Sequence, residues 1–343
     1  MVVLGLALLP ADLPEALAQQ PPSQLPVGII DFFGVGNRAA DPLREALTVK
    51  EGDVVSLGAE PPFLRESQAR LEALPGVTHA RLNLVCCDAG RLIVYVGIES
   101  DAAPALRFHA APTGTARLPA EIVDAGRAFG RALASAVQRG DAGEDRTQGH
   151  SLMNDPEARA VQQRFVDFAR RDRRRLLEVL RASGDARHRA LAAQVVAYAD
   201  DKASLVPDLV HAMADPDEGV RNDAMRALLV FSQMQADATH RKPDVPADPF
   251  IALLRSPVWS DRNKSSGALA TLTASRDPAL LARLKAESFE ALVEMARWRS
   301  TGHAFAARQI LGRIGGLGGE DIGRAIGEGD TARLIAAAQA GRP

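Results

Sequence analysis

Aromatic residues are scarce in this 343-residue sequence: they make up 4% of it, whereas apolar residues of all kinds make up 46%. Interiors with few aromatic rings are filled by small and branched aliphatic side chains, which favours closely packed helices over a large β-sandwich. Neither sign of charge is in excess, because 41 basic residues stand against 43 acidic ones, for a formal net charge of −2. The chain therefore carries no overall field that would attract nucleic acid or an anionic membrane. Also missing is a run of about 20 apolar residues, the length that crosses a bilayer, so no integral membrane span is expected in the mature chain.

Cysteine is almost absent, and the two cysteines, Cys86 and Cys87, are adjacent. Neighbouring residues cannot staple distant parts of a chain together. The strand period predicts that one side chain points into a core and the other outward at a strand end. The alternative is a vicinal disulfide or a reactive thiol pair in an oxidising compartment.

The sequence also lacks the motifs that commonly carry catalysis or hold cofactors. It contains neither a Gly-x-Ser-x-Gly nucleophile turn nor a Walker phosphate loop. The seven histidines are scattered, and none are paired at the i, i+4 spacing of a helical zinc site. The glycines between Gly312 and Gly319 follow a predicted helix rather than a strand, which indicates a helix end rather than a dinucleotide cradle. We therefore expect no catalytic, cofactor-binding or metal-binding residues, and a protein that is not an enzyme.

The N-terminal residues have features of a secretory signal. Residues 1–9 are apolar, and Ala16-Leu17-Ala18 has the small-x-small form of a signal-peptidase site. No Lys or Arg precedes the apolar run, although a signal peptide ordinarily has a positive n-region. We predict a signal peptide over 1–18 and a polar, Pro-rich linker over 19–25, and hence an exported or periplasmic protein. A cytoplasmic location is the alternative.

One motif, a tight turn followed by an amphipathic helix, recurs along the C-terminal half. It is clearest over 215–228, and related stretches occur at 183–196, 256–269 and 307–311. Copies at spacings of roughly 20–50 residues indicate the stacked helical hairpins of a solenoid. The residues that define the repeat, including the arginines of neighbouring copies, are Asp215, Pro216, Val220, Arg221, Ala224, Leu228, Arg189 and Arg262.

These residues resemble HEAT repeats, whose turns commonly contain Asp-Pro and whose second helix begins with Val-Arg. The resemblance covers 173–343, and predicted helices near 320–327 and 330–340 would cap the stack. In this family the arginine commonly ties neighbouring hairpins together through backbone carbonyls or an acidic side chain. The resemblance therefore implies a structural role for the repeat arginines. The acidic candidates nearby are Asp185, Asp215 and Asp217.

Stacked second helices form a concave surface that suits an extended protein partner. We predict that Arg226, His303 and Arg308 line this surface and contact the partner. The sequence leaves the direction of each side chain open.

Upstream of the repeats, residues 26–100 read as β-α-α-β-β. The first strand ends at Gly34, turns at Glu51-Gly52-Asp53 and Pro75-Gly76 follow the two helices, and a strand from Arg91 to Glu99 closes the unit. The order and these residues resemble a POTRA domain, the small module found in chains that build or serve outer-membrane β-barrels and in some division proteins. The family binds nascent or partner strands, which implies a protein partner.

A sheet of three strands leaves at least one edge with unpaired backbone groups, to which another strand can be added. We predict that the edge is the strand over 77–85. Its candidate partner-binding residues are Val77, His79, Arg81, Asn83 and Val85. The alternative is that a predicted helix over 119–139, whose apolar face needs a partner, covers the edge.

The sequence thus predicts an α+β, mostly α fold, with a small β-α-α-β-β domain over 26–100, a linker with connector helices over 101–172, and a HEAT-like solenoid over 173–343. A polar stretch over 140–154 has the composition of a loop or a disordered segment. The predicted function is a non-enzymatic protein-binding scaffold or adaptor of a bacterial-type cell envelope, without a cofactor and without nucleic acid as a partner. The alternative is a regulatory subunit or enzyme-associated module that acts on a partner enzyme.

Overall fold

The structure is a computed structural model that describes residues 24–36, 38–56, 60–101, 106–234 and 242–341. The predicted signal peptide over 1–18 lies outside these residues. So does most of the predicted linker over 19–25, but its last two residues already belong to the first strand.

The described residues form a mostly α structure with a small sheet near the N-terminus, as the sequence predicts. The strands are β1 (Gln24–Phe33), β2 (Val54–Ser56), β3 (Val77–Asp88), β4 (Arg91–Ser100), β5 (Glu144–Asp145) and β6 (Leu152–Met153). The helices are α1 (Ala40–Ala46), α2 (Pro62–Glu72), α3 (Ala120–Gln138), α4 (Pro156–Arg171), α5 (Arg173–Ala182), α6 (Ala186–Val196), α7 (Val206–Ala212), α8 (Glu218–Gln233), α9 (Asp248–Leu253), α10 (Trp259–Leu272), α11 (Pro278–Ala296), α12 (Thr301–Ile314), α13 (Gly319–Gly327) and α14 (Thr331–Ala340).

The N-terminal sheet has four strands in the order β2-β1-β4-β3, rather than the three that were expected. The additional strand, β2, is three residues long and pairs antiparallel with the start of β1. So short a segment shows no period in the sequence, which is why the pattern did not reveal it. β1 and β4 are parallel, β3 and β4 are antiparallel, and β3 forms one edge.

Both faces of the central strand β4 are buried. Leu92, Val94 and Val96 point to a core that is completed by α1 and α2, whereas Ile93 and Tyr95 point to the opposite face and join a second core. A strand covered on both faces reads as a continuous apolar run instead of an alternating one. The sheet is therefore the middle of a three-layer arrangement, with helices on both sides.

The C-terminal part is a stack of helical hairpins. The second helices α6, α8, α10, α12 and α14 pack against one another in sequence, and the first helices α5, α7, α9 and α11 form the outer layer. The first helix of the hairpin that contains 215–228 is split into a 3-10 turn (Ala203–Leu205) and α7, next to Pro207. Proline lacks the N–H that would continue the preceding helix, which explains the break.

The helix predicted over 119–139 is present as α3, but it does not cover the sheet edge. α3 packs along α4 and contacts α6, so its apolar face is used to extend the helical stack. The alternative, that this helix covers the edge of β3, is therefore wrong.

The second face of the sheet rests on the turns of the helical hairpins. Phe33 and Tyr95 pack against Trp298, with ring centroids 5.7 and 4.8 Å apart, and Tyr95 stacks on Trp259 at 5.4 Å. Gly97 permits this approach, because a Cβ at that position would lie 1.8 Å from the carbonyl oxygen of Pro257. One continuous apolar core therefore includes residues of the sheet and of the solenoid.

The segment after the sheet is not a free linker over its described part. The backbone N–H of His109 donates to the carbonyl of Ala214 at 2.7 Å, and that of Gly184 donates to the carbonyl of Gly114 at 2.8 Å. The guanidinium of Arg221 lies over the ring of Phe108, 4.1 Å from its centroid. Residues 106–118 thus run along the hairpin turns and join sheet to solenoid.

Candidate functional sites

The outer edge of β3 carries backbone groups without a strand partner among the described residues. The N–H of Ala80 points away from β4 and donates to the Glu72 carboxylate at 3.1 Å. Because N–H groups alternate between the two edges of a strand, those of Leu82 and Leu84 point to the same outer side. Within the described chain no backbone group bonds to them.

The side chains predicted to contact a partner from β3 are engaged within the chain. Arg81 donates from Nε to Glu218 at 3.0 Å, and Asn83 Oδ1 accepts the backbone N–H of Trp259 at 3.0 Å. His79 lies 2.8 Å from the Glu72 carboxylate, while Val77 and Val85 pack into the two cores. What β3 offers a partner is therefore its backbone edge rather than these side chains.

Of the three residues predicted on the concave surface, Arg226 alone lines a cleft there. The ring of His303 lies between sheet and solenoid, where Nδ1 is 2.8 Å from the Tyr95 hydroxyl. Arg308 is buried and donates from Nε to the carbonyl of Ala296 at 2.9 Å. The helical period alone could not distinguish these orientations, because both faces of a stacked second helix are partly covered.

The repeat arginines Arg189, Arg221 and Arg262 form a buried series of ion pairs, the arginine ladder, that connects successive hairpins. Arg189 makes a two-pronged ion pair with Asp215, at 2.7 Å for each bond. Arg221 pairs in the same way with Asp261, with bonds of 2.8 and 3.1 Å, and also donates to the carbonyl of Asp215 at 2.9 Å. Both arginines are 2% exposed. Asp215 thus links two units, through its carboxylate in one direction and its carbonyl in the other.

The ladder continues through Arg262 to the sheet. Arg262 donates to the carbonyl of Ser256 at 2.7 Å and to Glu294 at 2.8 Å. The same Glu294 oxygen accepts the backbone N–H of Gly34, at 2.9 Å, in the turn that ends β1. Asp261 and Glu294 were not among the acidic candidates from the sequence, because they come from the following hairpin, far along the chain.

The remaining repeat residues occupy cap and core positions. Asp185 and Asp217 accept backbone N–H groups at the starts of α6 and α8, so they are helix caps and not partners of the arginines. Val220, Ala224 and Leu228 are buried, and the carbonyl of Pro216 accepts a bond from Arg221 at 3.0 Å.

The polar stretch over 140–154, expected to be a loop or disordered, is folded onto the concave face of the solenoid. β5 and β6 pair antiparallel within it. Its Glu144 accepts hydrogen bonds from Arg226 of α8 and, at 2.8 and 3.0 Å, from Arg146. The carbonyl of Ser151 accepts the Tyr198 hydroxyl at 2.8 Å. Sequence composition could not reveal this docking, because the partners of the segment lie on distant helices.

Beside this segment is an open cleft of about 410 Å³. Its polar side chains come from three successive second helices: Gln194 of α6, Asp223 and Arg226 of α8, and Lys264 of α10. Phe129 of α3 forms an apolar wall. In the described part of the chain, the Lys264 ammonium makes no hydrogen bond and no ion pair.

A smaller cavity of about 30 Å³ adjoins the cleft and shares Phe129, Gln194 and Arg226 with it. His150 lines the cavity and is 8% exposed. Neither ring nitrogen of His150 has a hydrogen-bond partner among the described residues. Buried polar groups are nearly always hydrogen-bonded, so this histidine is an exception that needs an explanation.

The ionisable groups around the cleft have shifted pKa values, and burial is the main cause. Burial lowers the pKa of His150 to about 4 and that of Lys264 to about 8, with the charge of Arg226 adding to the second effect. Burial raises the pKa of Asp223 to about 7. For Glu144 burial acts to raise the pKa, but Arg226 and Arg146 outweigh it, so the pKa lies below its ordinary value. Glu144 is therefore the fully charged acid of the cleft at neutral pH.

Within the described ranges, no group of three or more His, Cys, Asp or Glu side chains could hold a metal ion. Among the same residues, no helix is both long and apolar enough to cross a membrane.

Cys86 and Cys87 are bonded to each other as a vicinal disulfide at the end of β3, and both are exposed. The expectation that one of them points into a core is therefore wrong.

No protein-family model matches the chain, and no curated protein matches it. Four chains of solved structures do match. One is described as a computationally designed armadillo repeat protein for modular peptide recognition, with 14% identity and a TM-score of 0.35 over 54% of this chain and 93% of that one. The helical repeat of the present chain is established by its own hairpin packing, independently of that likeness.

Proposed function

We propose that this chain is a protein-binding scaffold that takes up an extended segment of its partner as an added strand beside β3. The observation that carries the proposal is the outer edge of β3, where the N–H groups of Leu82 and Leu84 have no backbone partner in the described chain. An edge of this kind provides main-chain hydrogen bonds for a strand from another chain. Since Arg81 and Asn83 of β3 already form hydrogen bonds with the solenoid, this binding would depend mostly on the backbone.

The proposal also covers the families that the two domains resemble and the location of the protein in the cell. The order β1-α1-β2-α2-β3-β4 over 24–100, which differs from β-α-α-β-β by the three-residue β2, supports a POTRA-like domain. The Asp-Pro turn with the buried arginine ladder supports a HEAT-like solenoid. The resemblance to POTRA domains and the signal-like residues 1–18 support an exported, periplasmic adaptor with an envelope protein as its client. Cell fractionation tests the location. A protein found in the cytosolic fraction with Met1 retained would favour the alternative function, a regulatory module of a partner enzyme.

The proposed scaffold is non-enzymatic and needs no cofactor. Support comes from the sequence, which contains neither a nucleophile turn nor a phosphate loop.

Proline substitution tests strand addition directly. In Leu84→Pro the N–H that points outward is lost, whereas the ladder between β3 and β4 keeps its bonds, because those are made by the alternate residues. Partners are captured by crosslinking in the native host, followed by affinity purification. We expect the wild type to retain an envelope protein that Leu84→Pro and Leu82→Pro lose.

The matched control is Leu84→Ala, which shortens the same side chain but keeps the N–H. It should retain the partner, and all variants must first show the helical circular dichroism and melting behaviour of a folded protein. Identical partners in the wild type and in both proline variants would contradict strand addition at this edge.

A further inference from the structure

One positively charged side chain of the concave cleft has no ion-pair partner among the described residues. Lys264 of α10 is half-buried there and makes no ion pair or hydrogen bond within the described residues. Arg226 and Arg146, at the same cleft, share the single carboxylate of Glu144. The other acid of the cleft, Asp223, accepts a hydrogen bond from Asn222 at 3.1 Å and forms no ion pair among the described residues. Charges removed from water are ordinarily paired, so Lys264 is left without a paired acid.

The segment that already lies in the cleft shows which kind of chain the surface accepts. Glu144 and Asp145 form a short extended strand, and the Glu144 carboxylate lies against Arg226 of α8. The surface of the second helices thus holds an extended segment of the chain itself through the acidic side chain of Glu144. Lys264, one helix further along the stack, lines the same cleft but forms no direct ion pair with that carboxylate.

The cavity next to the cleft gives a second, independent indication of a ligand. His150 is more than nine-tenths buried, and both its ring nitrogens lack partners among the described residues. The cavity that it lines is about 30 Å³ in volume, enough for a carboxylate group or one to two water molecules. A group that enters from the cleft would give this histidine the hydrogen bond that the chain does not provide.

We infer that the cleft between the 140–154 segment and helices α6, α8 and α10 binds an extended acidic peptide, whose carboxylates pair with Lys264 and Arg226. This inference rests on the proposed protein-binding function and assigns a second contact surface to it. The ligand is a peptide rather than a nucleic acid, because the occupant in place is a peptide strand, and the chain as a whole has a net charge of −2. Glu144 acts as an internal competitor for Arg226.

The test uses a fluorescein-labelled peptide of the composition Gly-Glu-Glu-Leu-Glu-Glu-Gly and a copy in which Gln replaces every Glu. Fluorescence anisotropy measures the binding of each to the full chain at low ionic strength. We expect the acidic peptide to bind at least about 10-fold more tightly than the glutamine peptide, and salt to weaken its binding. Lys264→Met should weaken it about 10-fold, since one unpaired charge is lost.

A variant with the opposite effect separates binding from stability. Glu144→Gln removes the internal carboxylate and should tighten binding of the acidic peptide about fivefold, because Arg226 is released. Arg174→Met, which removes an exposed cation of α5 that makes no hydrogen bond or ion pair within the described residues, is the matched control and should leave binding unchanged. Equal binding of the two peptides, no binding of either, or equal effects of Lys264→Met and Arg174→Met would overturn the inference.

The outcome is distinguishable from that of the strand-addition test. Leu84→Pro should still bind the acidic peptide with wild-type affinity, because no residue of β3 lines the cleft. Partner capture through β3 without binding of the peptide would overturn this inference alone. Peptide binding without capture through β3 would uphold it and remove the edge proposal.

Discussion

At the scale of single residues, three arginines at the starts of successive second helices decide how the hairpins are joined. Arg189, Arg221 and Arg262 are each 2% exposed and each donate to an acidic side chain of the next hairpin and to a carbonyl of their own turn. A buried ion pair is not by itself a large gain in stability, but removal of one partner leaves an uncompensated charge in the interior. The arginines are therefore residues that the stack cannot easily lose.

This argument gives a prediction for Arg221→Ala. The carboxylate of Asp261 is fully buried and would lose its partner, so we expect the free energy of unfolding to fall by about 3–5 kcal/mol. Chemical denaturation followed by circular dichroism measures the change. Arg187→Ala, which removes an exposed arginine of α6, is the control and should change stability by less than about 0.5 kcal/mol. An unchanged stability of Arg221→Ala together with lost partner binding would show that Arg221 contacts the partner instead.

At the scale of elements, the position of the sheet on the solenoid depends on close backbone contact. Gly97 of β4 lies against the carbonyl of Pro257 in the turn before α10. Arg299, after α11, donates to Asp31 of β1 from its backbone N–H at 2.8 Å and from Nε at 2.9 Å. The two elements meet with fixed geometry, because polar bonds surround an apolar contact.

Gly97→Ala should therefore disturb the contact between β4 and the hairpin turn. The new methyl group would lie 1.8 Å from the Pro257 oxygen, which requires the sheet to move, and we expect a loss of about 3 kcal/mol. Both tryptophans of the chain, Trp259 and Trp298, lie in this contact, so their fluorescence should shift towards that of solvent-exposed indole. Gly323→Ala in α13 is the control, because its Cβ meets no atom within 4 Å. A wild-type midpoint and emission spectrum for Gly97→Ala would refute the tight contact.

At the scale of the whole molecule, sheet and solenoid behave as one structural unit. The apolar core that contains Phe33 and Tyr95 continues without interruption into the helical stack. The arginine ladder ends at Gly34, so polar contacts also run from the first repeat to the sheet. The two parts, which are separate in sequence, therefore share one apolar core and a series of polar contacts.

Thermal unfolding should consequently be a single transition. Tryptophan fluorescence reports the contact between sheet and solenoid, whereas circular dichroism at 222 nm reports mainly the solenoid helices. We expect both probes to give the same midpoint within about 2 °C, as a two-state transition requires. An earlier transition in the fluorescence would mean that the sheet leaves the solenoid while the helices remain folded.

The sequence by itself determined the classes of element and most of their positions. Period and cap residues indicated α2 after Pro61, α4 after Asp155 and the terminal helices α13 and α14, because these signals are local. The same holds for the fold class and for the recurring hairpins. The strand β2 was not predicted, because three residues are too few to show a period.

The tertiary structure alone decided where the side chains and surfaces lie. Arg81, Asn83 and His303 lie between sheet and solenoid. Arg308 donates to the carbonyl of Ala296 at the end of α11, and the polar 140–154 segment lies on the concave face. Each of these placements depends on a partner far away in sequence, and no local pattern encodes such a pairing. The physical reason is that period and composition specify which face of an element is buried, whereas the partner of that face is chosen by the packing of the whole chain.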